Sequence, residues 1–245
     1  MNKIYNAAYL EHLQVLLADT KKHSYTLLNC IPGEVIVDVG CGLGHDTAAL
    51  AQSGATLIGL DHNAELLTKA RDQYGHIVAF HQRSAEATGL VSGSVDKIRF
   101  DRVLQHIANE ELALAEVKRV LTPNGLIQII DTDYQSFSFF LPDVQFERKL
   151  IEAILNRLNG ARRFRLLPAA LCNYGFGPVT LAVHQVLVEG FDQANAIIRL
   201  DKIVHEEAAV ARFNSDELEM WTEWKQSGRC FLSMNQVILQ ACKIT

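Results

Sequence analysis

Residues 35–46 read VIVDVGCGLGHD: a β-branched apolar run carrying one acid, then three glycines, then a change of rhythm. A short β-branched run suits a buried strand, and the following DTAALAQSG has helix formers closing on a glycine. The order is therefore strand, glycine turn, helix. Glycine lacks a Cβ and reaches positive φ, so this turn lets the backbone approach a ligand and aims helix-start amides at a polar or anionic group. A cofactor is expected there. The dinucleotide fingerprint G-x-G-x-x-G uses its third glycine for close helix–strand packing. Here Gly40, Gly42 and Gly44 are spaced G-x-G-x-G, and His45 holds the third place. That spacing argues against a nicotinamide or flavin dinucleotide.

Composition narrows the class. A chain of 245 residues suits a single α/β domain with one sizeable core. With 49% apolar and 21% charged residues it has the make-up of an ordinary globule. The formal net charge is -5 and the nearest basic cluster is ARRFR at 161–165, so nucleic acid is not an expected partner. Five scattered cysteines form no C-x-x-C pair, which fits reduced thiols in a cytoplasm. No close-set histidine pair suggests a metal. The N-terminal MNKIYNAAYLEHLQVLL is broken by polar residues at helical spacing and reads as an amphipathic helix. It is expected to be neither a signal peptide nor a membrane span.

Along the chain, helical pattern runs from about Asn6 to Asn29, and Ile31-Pro32-Gly33 ends it before the first strand. ATLIGLD is a second strand ending in Asp61, NAELLTKARDQY a helix, HIVAF a third strand and SVDKIRF a fourth. EELALAEVKRVL is an amphipathic helix, TPNG a turn and LIQIID a fifth strand. This βα alternation implies a parallel sheet covered on both faces. Beyond Asp131, VQFERKLIEAILNRLNG and RRFRLLPAALCNYG read as helices and VTLAVHQVLV as a strand. Helices from about Ala194 to Lys225 precede a last strand in CFLSMNQVILQACKI. The two closing strands are expected to form an antiparallel edge.

At these segments the chain resembles the class I S-adenosylmethionine-dependent methyltransferases of the small-molecule group. The likeness runs through VIVDVGCGLG, LIGLD, SAEATGL, SVDKIRFDRVLQHI and EVKRVLTPNGLIQIID, and more weakly to the last strand. It implies an α/β, Rossmann-like, doubly wound seven-stranded sheet, mostly parallel. The final strand would insert antiparallel between the fifth and sixth, and a helical lid would cover the sheet. It also implies S-adenosylmethionine (SAM) as cofactor and methyl transfer to an O, N or C nucleophile of a small organic molecule.

The resemblance assigns roles residue by residue. Gly40, Gly42 and Gly44 leave room for the methionine part and ribose; Asp38 accepts from turn amides or from the cofactor's ammonium. Asp61, with His62 beside it, holds the ribose hydroxyls. In SAEATGL, Ser84 stands where the family commonly has an acid near the adenine amino group, followed by Ala85, with Glu86 as a compensating acid. Asn124 replaces a usual turn glycine and tolerates positive φ. In RFDRVLQHI, Phe100, Asp101 and Arg102 line the cofactor. His106, four residues from Arg102 and on one face with it if the segment is helical, is the candidate general base. The bland alternative for His106 is a polar residue bracing the loop.

After strand five, Asp131, Asp133 and Tyr134 are candidate acceptor contacts, as is Tyr9; the two acids could equally cap a helix or pair with ARRFR. Phe137, Phe139 and Phe140 read as pocket wall or core, and Trp221 and Trp224 as one packed helix face. The expected lid comprises residues 1–30 with Tyr5 and Tyr9, the segment Tyr134–Phe146, and an excursion at 191–228. The protein is expected as a monomer or homodimer. Two rivals are a non-catalytic SAM or S-adenosylhomocysteine (SAH) binding module and a nucleotide-dependent oxidoreductase, the latter disfavoured by His45.

Overall fold

The computed structural model describes residues 7–157, 160–162, 164–228 and 230–244; Tyr5, Asn6 and Arg163 lie outside the described residues. Its sheet has seven strands in the order β3-β2-β1-β4-β5-β7-β6. β1 (Val35–Val39), β2 (Thr56–Asp61), β3 (Ala79–Gln82) and β4 (Val95–Asp101) pair in parallel, as do β4 and β5 (Leu121–Ser138). β7 (Phe231–Cys242) runs antiparallel between β5 and β6 (Thr180–Glu189). The expected Rossmann-like, seven-stranded architecture is the one observed.

The chain divides into two compact units, one within 1–131, 165–183 and 237–245, the other within 132–164 and 184–236. In the first, residues 36–39 of β1 and residues 57 and 59–61 of β2 are buried, and Ile36, Leu57, Leu67, Val78 and Phe80 pack with Leu28 and Leu50 in one cluster. Two helices of this unit start at asparagine caps. Asn63 accepts the Glu65 and Leu66 amides at the start of α4 (Ala64–Tyr74), and Asn109 accepts the Leu112 amide at the start of α5 (Glu110–Val120). α5 buries Ala113, Leu114, Val117 and Val120 on one stripe, with Glu110 and Glu111 in its first turn and Lys118 and Arg119 in its last, as the helix dipole favours.

The second unit holds α6 (Val144–Arg157), α8 (Phe191–Ile198), α9 (Leu200–Ala209) and α10 (Ser215–Gln226), after the short α7 (Leu167–Asn173) of the first unit. Trp221 and Trp224 stack at 5.3 Å between ring centroids, with Phe191 edge-on to both. They are one packed helix face, as their spacing suggested. Phe137 and Phe139 belong to the same buried aromatic chain, whereas Phe140 is exposed.

Three boundaries differ from the sequence expectation. The N-terminal helical stretch is two helices, α1 (Ala7–Leu16) and α2 (Ala18–Leu28), bent at Leu17 where ψ rises to 15°. The backbone hydrogen bonds Leu17 to Leu13 and Lys21 to Leu17 persist across the bend. Strand three starts at Ala79 instead of His76, because the Ile77 and Val78 amides turn back to the Tyr74 carbonyl. Strand five continues to Ser138, so Asp131, Asp133 and Tyr134 lie within it and not after it. The TPNG turn is an irregularity inside that strand, and Asn124 takes φ 63°, the conformation its amide side chain tolerates. Among the described residues no helix is long and apolar enough to cross a membrane, and no group of His, Cys, Asp or Glu is arranged to hold a metal.

Candidate functional site

Strand register brings the motif residues to one edge. Val39 of β1 is level with Leu60 of β2 and Phe100 of β4, so the next residues, Gly40, Asp61 and Asp101, lie side by side at the carboxyl ends of their strands. Asp101 is in turn level with Ile130, which puts Asp131 one step beyond. This is the edge at which open α/β sheets bind ligands.

The turn that follows β1 must stay free of side chains. Gly40 has φ 71°, and a Cβ there would lie 2.3 Å from the Val103 side chain. Gly44, at φ 76°, takes over the close packing expected of a third fingerprint glycine, since a Cβ on it would meet the Phe80 ring at 2.7 Å. His45 bonds Tyr74 of α4 through its ring at 2.8 Å. The amides of Gly40 and Cys41 donate to the Leu60 carbonyl and that of Gly42 to an Asp61 oxygen at 2.9 Å. These three turn amides therefore hold β2. The other Asp61 oxygen takes the Asn63 amide at 2.8 Å, and exposed His62 stands 3.7 Å from it. Each carboxylate oxygen has a second lone pair for a hydroxyl.

Asp38 corrects one expectation. It takes no turn amide; it accepts the Thr47 hydroxyl at 2.6 Å and faces the Arg99 guanidinium at 3.3 Å. Arg99 is the node of a buried cluster. At 1% exposure it also bonds Asp101 at 3.0 Å and lies 3.3 Å from Asp46. Lys21 of α2 bonds Asp46 and, at 3.1 Å, Asp101. Gln14 and the Tyr25 hydroxyl complete Asp46 at 3.0 and 2.7 Å. Burial alone raises carboxyl pKa values; in Asp101 the Lys21, Arg99 and Arg102 charges override it and hold the group well below the usual carboxylate range. Asp46 is lowered by Lys21 and Arg99 against the same burial. In Asp38 burial wins over Arg99, and its pKa is raised. Lys21, Asp46 and Arg99 escaped the motif reading. Their signals were a lysine in helical phase with Ser24, Tyr25 and Leu28, and an arginine inside a buried parallel strand, where a charge demands counter-charges.

Of the remaining candidates, Ser84, Ala85 and Glu86 follow β3, Arg102 and His106 follow β4, and Asp131, Asp133 and Tyr134 lie in β5. The Arg83 amide reaches the Asp61 carbonyl at 3.0 Å; beyond it Ser84 is exposed, Ala85 buried and Glu86 half-buried, with Ser84 bridged to Ala87. The loop is braced from α5 by Glu116, which accepts both the amide and the hydroxyl of Thr88 at 2.9 and 2.5 Å. Phe100 is fully buried, so it packs the core and presents only backbone to the edge. The segment after it is a single 3-10 turn, Leu104–His106, and Arg102 takes φ 57°, so the two do not share an α-helical face. Arg102 and His62 nonetheless act on His106. Desolvation first, then those two charges, push its imidazole below its ordinary value although the residue is exposed. Tyr9 is half-buried on α1. Asp131 is buried in the first unit; Asp133, also buried, accepts the Gln135 amide at 3.2 Å in the second, where Tyr134 is half-buried.

Residues 37–129 match the family model described as a methyltransferase domain. Over that segment the chain is similar to the class I S-adenosylmethionine-dependent methyltransferases. Among relatives of this methyltransferase, an uncharacterised 37.1 kDa protein of transposon Tn4556 from Streptomyces fradiae is 27% identical over 96% of this chain and 70% of its own length. A ubiquinone biosynthesis O-methyltransferase of Methylococcus capsulatus is 35% identical over 40% of this chain, which spans 43% of that enzyme. The crystal structure of a putative methyltransferase from Bacillus halodurans has the same fold, with TM-score 0.65 at 18% identity over 91% of this chain and 98% of that one. The cofactor of the family is SAM, and the strand edge fits it on one observation. Asp61, beside the glycine turn, presents an oriented carboxylate of the kind a ribose diol binds.

Proposed function

We propose that this methyltransferase transfers the SAM methyl group to an oxygen, nitrogen or carbon of a small organic acceptor. The observation that carries the reading is the alignment of Gly40, Asp61 and Asp101 at one strand edge. Bound SAM supplies an electrophilic methyl on a sulfonium. The residues that would hold it, beside the turn through Gly40, Gly42 and Gly44, are Asp61 at the ribose, the Ser84–Glu86 loop at the adenine, and Asp101 at the amino-acid end.

The protein's own task is to align the acceptor, exclude water and remove a proton where the nucleophile is a hydroxyl. His106 is the group suited to that last step. Its lowered pKa keeps the imidazole neutral, and so able to accept a proton, at neutral pH. A small acceptor accords with the named Methylococcus relative, and with an excess of acid over base in the chain as a whole. Acceptor choice is assigned to Asp131, Asp133 and Tyr134 of β5 and to the helical excursion at 191–228, on their place in the chain order. Calorimetric titration with SAH and with NAD tests the reading: saturable SAH binding with no tighter NAD binding is expected, and the reverse order would refute it.

A further inference from the structure

The buried lysine of α2 has no part in the roles above. Lys21 is 7% exposed, and its ammonium carries three N–H donors, of which two face Asp46 and Asp101. Neither acid depends on it alone. Asp46 also takes Gln14 and Tyr25, and both acids have Arg99 within 3.3 Å. Burying an ammonium is expensive unless the charge is used. What Lys21 adds is a cation beside an acid, 3.1 Å apart, at the strand end level with Gly40.

That pair is complementary to a zwitterion. An α-amino acid group carries an ammonium and a carboxylate on one carbon, and an acid and a base a few ångströms apart match both charges at once. We propose that Lys21 is a cofactor-binding residue: it receives the carboxylate of the amino-acid end of SAM while Asp101 receives the ammonium. The Lys21–Asp101 ion pair is then exchanged for two intermolecular ones. This inference rests on the assignment of the edge to SAM. The rival receiver of the carboxylate is Arg102, 3.5 Å from the other Asp101 oxygen.

The experiment is calorimetric binding of SAM, decarboxylated SAM and 5′-methylthioadenosine to the full chain and to Lys21→Met, Lys21→Arg and Arg102→Met. Decarboxylated SAM lacks only the carboxylate; methylthioadenosine lacks the whole amino-acid group. The unsubstituted protein is expected to prefer SAM to its decarboxylated form by about 10- to 100-fold, the range of a hydrogen bond to a charged group. Lys21→Met should bind the two alike, with methylthioadenosine affinity unchanged, and Lys21→Arg should restore part of the preference. A Lys21→Met protein that keeps the preference overturns the proposal, as does its loss in Arg102→Met alone. Equal weakening of all three ligands overturns it in favour of a purely structural strut. Failure of the unsubstituted protein to bind any of the three would instead refute the assignment of the edge to SAM.

Discussion

Asp61 receives the Gly42 amide at 2.9 Å, so the acid that ends β2 also sets the path of the glycine turn after β1. The same carboxylate takes the Asn63 amide and thereby starts α4. Asp61→Ala should thus loosen two loops and remove the partner of the ribose hydroxyls. SAH affinity is expected to fall by about 1.5–3 kcal/mol, as for a lost hydrogen bond to a charged group. Calorimetry checks this; an unchanged affinity would remove Asp61 from the site.

His106→Ala separates chemistry from binding. With His106 as general base, turnover should drop by about 10²- to 10⁴-fold while SAH affinity stays nearly constant. Because the folded imidazole lies below its ordinary 6.5, it remains neutral further into acid, and the acid limb of kcat/KM should fall below pH 6.5. Equal turnover of the variant across the pH range would leave His106 a loop brace.

Glu116 gives a stability prediction with a definite sign. Its hydrogen bond from Arg119, against some burial and with help from Thr88, takes its pKa from 4.5 to about 2. The unfolded chain therefore binds more protons between those values. The stabilisation is complete above about pH 4.5 and is lost as pH falls towards 2. Glu116→Gln should cost about 1–3 kcal/mol at neutral pH, and the acid decline should flatten. Urea unfolding at several pH values measures both.

Arg99 serves Asp38, Asp46 and Asp101 together. Arg99→Leu leaves buried acids without that shared cation, and about 3–5 kcal/mol is expected from breaking such a pair, a large part of a domain's about 5–15 kcal/mol. Lys22→Leu is the control. Its 3.9 Å contact with Asp19 is exposed, and its removal should shift the urea midpoint little.

The fold was legible because its signals are local. A β-branched run, a glycine turn and a helix repeat along 35–131, and register follows once each strand's carboxyl end is known. The Asn124 turn and the Trp221–Trp224 face were legible for the same reason. What escaped was non-local. Lys21 and Asp101 are 80 residues apart, and Arg99 acquires its partners only when β1, α3 (His45–Ala51) and β4 come together. The contacts of Asp38 with Thr47 and Arg99 were not foreseen, because a motif states which residue is present and not which neighbour satisfies it. Acceptor residues are harder still. Asp133 and Tyr134 lie in a strand whose continuation past Asp131 no turn residue announces.

The last prediction concerns α1 and α2. Besides burying Leu13, Leu17 and Leu28, these helices are tied to the cofactor edge by polar contacts: Gln14, Lys21 and Tyr25 converge on Asp46, and Gln128 donates to the Ser24 carbonyl at 2.9 Å. A Cβ on Gly42 would lie 3.3 Å from Leu10, which places α1 against the glycine turn itself. Polar docking is worth less per contact than a packed apolar face, because water competes for the same groups, so these helices should open locally more easily than α5. A ligand that adds contacts at Asp101 and the turn stabilises the docked state and raises that opening energy. Hydrogen exchange at residues 7–28 should therefore slow on adding SAH, by more than in Glu110–Val120, where Ala113, Leu114 and Val117 are already buried. Protection of equal size in both segments, or none at 7–28, would show that the N-terminal helices do not report on the cofactor edge.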